Sequence, residues 1–135
     1  MNQRWMAALV GPLGLYHLIH AWFAGYSAIL LYDILRMSRA DIDLVAPEHT
    51  REIFKGLCIV AVVFGGFGLL SLTASFGFWG NKNWAHRLWI GTSVSMILSI
   101  VAAIAFWNRD LAEYVFELAV ITFSWLRLKK LRRSG

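Results

Sequence analysis

His17, His20 and Glu117 are the side chains in this sequence whose types and settings could do chemistry. All three lie inside apolar runs. An ionisable group taken into a bilayer is costly, so it marks either a function or a firmly held polar contact. An imidazole can ligate a b-type haem iron or pass a proton. A carboxyl held in an apolar setting can stay protonated and join a relay. His17 and His20 are three residues apart, which puts both on roughly one side of a helix. At 1.5 Å per residue, His20 lies about 18 Å from the inner end of its run and Glu117 about 9 Å below the outer end of its own. Similar depth lets the two meet across a helix interface. They would then serve as a proton relay, as a contact to a quinone headgroup, or as a hydrogen-bonded pair that sets helix register. Haem b would need two axial ligands at matching depth. His86, the other histidine beside the membrane, differs in level from His17 by about 10 Å.

Other chemistries find no support. Asp41, Asp43 and Glu52 match positions one, three and twelve of a calcium loop. Val45 and Ala46, however, stand where an oxygen ligand and the turn glycine belong, so no metal site is expected. Cys58 is the sole cysteine, which excludes an internal disulfide, a CxxC redox pair and a thiolate cage. There is no P-loop, GxSxG or HExxH sequence. The Gly65-Gly66-Phe67-Gly68 cluster sits within an apolar run and reads as a packing element.

The elements that must position these residues are helices in a membrane. Apolar residues make up 59% of the chain and charged residues 16%, against about 45–50% and a quarter in soluble domains. The excess falls in four runs, at about 8–32, 55–78, 84–106 and 111–126. Each is read as a transmembrane helix, the fourth only just long enough for the roughly 20 residues a bilayer requires. The expected fold is all-α, an integral membrane four-helix bundle, with an outer loop at 33–54 and a basic tail at 127–135. Six of the seven tryptophans (Trp5, Trp79, Trp84, Trp89, Trp107, Trp125) flank the runs, and Trp22 lies inside one. Tryptophan gathers at headgroup level because its ring is apolar while its N–H needs a wet partner. The first run extends to about twice a signal-peptide core and is expected to remain as a span. Pro12 falls in its first turns, where a missing N–H costs least, and Pro47 suits the start of a second helix that protrudes from the bilayer.

Basic residues set the orientation. Arg4, Lys82, Arg87 and the tail residues Arg127, Lys129, Lys130, Arg132 and Arg133 share one side, against Arg36, Arg39, Arg51, Lys55 and Arg109 on the other. The positive-inside rule then makes both termini cytoplasmic, as in a bacterial inner membrane. The tail is expected to meet anionic lipid headgroups. No domain accompanies it to read nucleic acid.

Helices in lipid associate through close approach at small residues. Helix two offers Ala61, Gly65, Gly68 and Ser75, and helix three offers Gly91, Ser95, Ser99 and Ala103. These stripes would pack helices within the chain or against a partner. Small size, such seams, dense aromatics and the absence of a catalytic constellation point to a non-catalytic subunit. It would pack in a larger membrane complex or oligomer and contact lipid, quinone or pigment at its surface. Two alternatives stay open: a haem b or quinone redox subunit, and an oligomeric proton-coupled transporter or channel using Glu117 and His20.

Overall fold

Backbone N–H and C=O groups in hydrocarbon find no water, so an apolar run satisfies them by winding as a helix. The computed structural model describes residues 3–38, 47–107 and 109–133, with side chains for 3–36, 49–107 and 109–130. The described residues form α1 (Arg4–Ser38), α2 (Pro47–Trp79), α3 (Trp84–Trp107), a 3-10 turn (Leu111–Tyr114) and α4 (Val115–Arg133). Among the described residues, three stretches are long and apolar enough to cross a bilayer: Arg4–Arg36, His49–Trp79 and Trp84–Trp107. The fourth expected span is not among them. Its first residues wind as a 3-10 turn, and the apolar α-helical part, residues 115–126, rises only about 18 Å against a core about 30 Å thick. The basic tail is no loose extension either, since α4 continues through Arg133. Helices α1 and α2 exceed the expected runs because polar ends continue the backbone hydrogen-bond ladder beyond the apolar stretch. Pro47 begins α2 as its fixed φ favours. Asp41 and Asp43 lie outside the described residues.

The helices sort into two compact units, one of Met1–Leu15 with Leu69–Gly135, the other of Tyr16–Gly68. The second unit is an antiparallel helical hairpin. Tyr32 meets Phe54, Gly25 faces Ala61 and Ala21 faces Gly65, so positions fall along α1 as they rise along α2. Small residues set this spacing: a Cβ added at Gly65 would lie 3.7 Å from the Ala21 Cβ, and one at Gly25 3.9 Å from the Ala61 Cβ.

The first unit gathers segments of all four helices around Met6, Leu13, Phe78, Trp89 and Met96, all buried. The Ser75 hydroxyl donates to the Ala7 carbonyl at 3.0 Å, a close approach that Gly11 opposite permits. Helix α2 ends in a Schellman cap. Asn81 takes φ 53°, Asn81 N–H donates to the Phe78 carbonyl and Lys82 N–H to the Gly77 carbonyl, satisfying carbonyls left over at the helix end. Asparagine tolerates this left-handed backbone better than most residues. Gly77 lets α2 and α3 approach closely, since a Cβ there would lie 2.7 Å from the Ala85 Cβ and 2.8 Å from the Trp84 ring. Gly77→Ala is therefore expected to destabilise the protein by about 1–3 kcal/mol through overpacking. The thermal midpoint of the detergent-purified variant checks this, and an unchanged midpoint would show that the α2–α3 turn opens without strain.

Candidate functional site

Helix α1 carries both membrane histidines into the hairpin unit, but in different settings. His17 is 1% exposed, with the Phe64 ring at 5.1 Å, the Phe67 ring at 6.1 Å and Tyr16 edge-on at 5.5 Å. His20 is exposed. Its Nδ1 lies 2.9 Å from the Tyr16 carbonyl oxygen, a bond that needs the proton on Nδ1. A neutral His20 then carries its lone pair on Nε2, the arrangement of an imidazole ready to accept a hydrogen bond or ligate a metal. The Tyr16 ring at 4.2 Å and the Phe64 ring at 6.0 Å hold the His20 imidazole from the protein side. Three apart on one helix thus did not mean one environment. The 100° step per residue turns His17 toward the α2 phenylalanines and leaves His20 on the outer flank.

Glu117 belongs to the first unit and is 4% exposed. Because residues 111–114 form the 3-10 turn, Glu117 falls in the first turn of α4, where the helix dipole favours a negative charge. Glu113 pairs with Arg109 at 3.6 Å on an exposed surface, as their spacing predicts. His86 packs edge-on against Phe78 at 5.1 Å. Among the described residues no three or more His, Cys, Asp or Glu side chains gather to hold a metal.

The polar contacts between α3 and α4 are ones the sequence reading missed. Trp89 Nε1–H donates to Ser124 Oγ at 2.9 Å, and Trp125 Nε1–H donates to Ser93 Oγ at 2.9 Å. Each serine hydroxyl donates in turn to a carbonyl of its own helix, Ser124 to Ile121 at 2.7 Å and Ser93 to Ile90 at 3.0 Å. The two helices exchange one tryptophan donor each. Trp89, expected at headgroup level, is fully buried; its N–H finds a serine in place of water. The available signal was the pairing of Trp89 with Ser93 one turn apart and of Ser124 with Trp125 side by side.

The small-residue stripe of α3 divides. Gly91 and Ser95 are exposed, Ser99 is half-buried and Ala103 is buried. A Cβ added at Gly91 would meet nothing within 4 Å, and Ser95 donates back to the Gly91 carbonyl. The reason is geometric: each i+4 step advances about 40° around a helix of 3.6 residues per turn. A strict i+4 row therefore winds from one face onto another. On α2, Ala61 and Gly65 make the hairpin contacts described above, and Gly68 is buried.

Arg4 and Arg127 come to one end of the first unit, beside the α2–α3 turn. Gln3 N–H donates to Asn81 Oδ1 at 3.0 Å, the Arg4 guanidinium lies 5.6 Å from the Trp79 ring centre, and Arg127 lies 5.7 Å from that of Trp5. The first turn of α1, the α2–α3 turn and the second half of α4 therefore meet there. Lys129 and Lys130 are exposed, and the side chains of Arg132 and Arg133 lie outside the described residues. Searches against known proteins found no matching family, no similar curated protein and no similar solved structure.

Proposed function

We propose that this chain is a non-catalytic integral-membrane subunit that packs against another membrane protein or a second copy of itself. In this reading all four helices cross the membrane, α4 as a short span, with both termini cytoplasmic as in a bacterial inner membrane. One observation carries it. His20 is the central residue of the Arg4–Arg36 span, yet it is exposed. Histidines at such depth normally face protein or a water-filled cavity, so a partner surface is needed to cover it. The exposed Gly91–Ser95 face of α3 offers a second place of close backbone approach.

A second reading, a redox subunit holding haem b or contacting a quinone, draws on the same histidine. With Nδ1 donating to Tyr16, Nε2 is available as a haem ligand or as acceptor for a quinol hydroxyl. Phe23, exposed and three residues on along α1, supplies flat apolar surface on the same side of the helix. One experiment separates the two: gentle extraction from the native membrane, then native mass spectrometry and a visible spectrum on the same species. The subunit reading expects a large colourless assembly. A Soret band moves the assignment to the redox reading. A colourless particle containing one copy of this chain and no partner overturns both the subunit and the haem assignments.

A further inference from the structure

A cation at a membrane edge is either a loose surface charge or a placed donor, depending on whether anything fixes its orientation. Arg127 is placed. Its guanidinium carbon lies 5.4 Å from the Phe123 ring centre, one turn back on α4, and 5.7 Å from that of Trp5, in the first turns of α1. Ring contacts engage the faces of a guanidinium and leave the N–H donors around its rim available for a planar, two-point acceptor. Among the described residues no carboxylate takes them. The eight acidic residues fall between 33 and 52 or between 110 and 117. The nearest of them along α4, Glu117, is ten residues before Arg127, about 15 Å by helix rise. The Arg127 donors are thus open to an anion from outside the chain.

The surroundings say what kind of anion. Phe123, Trp125 and Leu126, neighbours of Arg127 on α4, are exposed at 46%, 40% and 62%. A soluble anion would leave that apolar surface uncovered; an amphiphile would cover it with acyl chain while its phosphate meets the guanidinium. We infer that Arg127, braced by Trp5 and Phe123, forms a specific site for the phosphate of an anionic phospholipid at this end of the first unit. The site is distinct from diffuse attraction by a basic tail, because it depends on the shape of one guanidinium and not on the number of charges. It stands independently of whatever covers His20.

The test uses the full chain in detergent, titrated with phosphatidylglycerol or phosphatidylcholine of identical acyl chains and read by native mass spectrometry. Wild type is expected to retain one phosphatidylglycerol about tenfold more tightly than phosphatidylcholine. Arg127→Lys keeps the charge and loses the two-pronged donor, so affinity should fall about tenfold. Trp5→Leu keeps every charge and removes one brace; it should also weaken retention. Lys129→Gln removes a charge from the same helix and should change affinity by less than about threefold. Thermal midpoints of all variants establish that they are folded. Equal losses in Arg127→Lys and Lys129→Gln overturn the site in favour of simple charge attraction. Unchanged affinity in both Arg127→Lys and Trp5→Leu overturns it as well, as does inorganic phosphate binding as tightly as the lipid.

Discussion

Trp89→Ala is expected to lower the stability of the purified protein by about 3–5 kcal/mol, a drop in thermal midpoint of about 10–20 °C. Trp89 is the largest fully buried side chain. In a membrane, helix association draws little on hydrophobic burial, since lipid is as apolar as the protein interior. Dispersion contacts still matter, because a cavity leaves its lining atoms without neighbours. Trp89 also donates the hydrogen bond that joins α3 to Ser124 of α4. Trp89→Phe keeps most of the ring volume and removes this donor, so a smaller loss of about 1–2 kcal/mol is expected. A double-mutant cycle with Ser124→Ala should give a coupling of about 0.5–1.5 kcal/mol. Chemical or thermal unfolding in detergent measures all of these. Additive effects of the two substitutions would show that the hydrogen bond contributes nothing beyond packing; a Trp89→Ala variant within about 1 kcal/mol of wild type would sink the claim that this tryptophan organises the core.

Gly91→Leu should do the opposite, leaving the single chain intact and, in the proposed subunit, destroying its association. A Cβ added there meets nothing within 4 Å, position 91 is exposed, and leucine is a better helix former than glycine by somewhat under 1 kcal/mol. Thermal stability should thus be unchanged or slightly raised. If α3 meets its partner through the Gly91–Ser95 face, the same leucine holds the two backbones apart. Affinity should then fall on the order of 100-fold, about 2.7 kcal/mol. Co-purification from the native membrane and energy transfer between labelled copies in vesicles read the loss. Val62→Leu, on an exposed position of α2, is the control expected to leave association unchanged. An assembly that survives Gly91→Leu would remove this face of α3 from the proposal and leave the surface around His20 as the place to look.

Much of the helical layout was legible in the sequence. The apolar runs behind α1, α2 and α3 exceed bilayer length, and a backbone in hydrocarbon has few alternatives to a helix. Pro47 marked the start of α2 because its ring lacks the N–H that a first helical residue does not need. The fourth run misled as to its extent. Residues 111–126 are apolar enough in composition, but composition does not reveal that 111–114 wind as a 3-10 turn. Glu117, expected six residues into the fourth run, stands in the first turn of α4.

The tryptophans mark the border between what was legible and what was not. Trp79 and Trp84 flank the α2–α3 turn and are exposed, as residues at an interface can be. Trp89 has the same chemistry and the same kind of flanking sequence, yet it is buried. What distinguishes it is a serine on another helix, and no pattern along the chain states which helix will stand opposite. His17 and His20 divide for the same reason.

By itself, then, the sequence determined that the runs behind α1, α2 and α3 are helices long enough to cross a membrane, because run length and backbone chemistry act locally; the fourth run it read as a span is not among these long apolar helices. Only the tertiary structure decided which polar groups meet: Trp89 with Ser124, Trp125 with Ser93, and Arg127 with Trp5. It also decided which groups turn outward, His20 and Gly91 among them. Those outcomes depend on the rotation and register of one helix against another. A turn of 100° per residue exchanges a buried neighbour for an exposed one without changing the composition of the run.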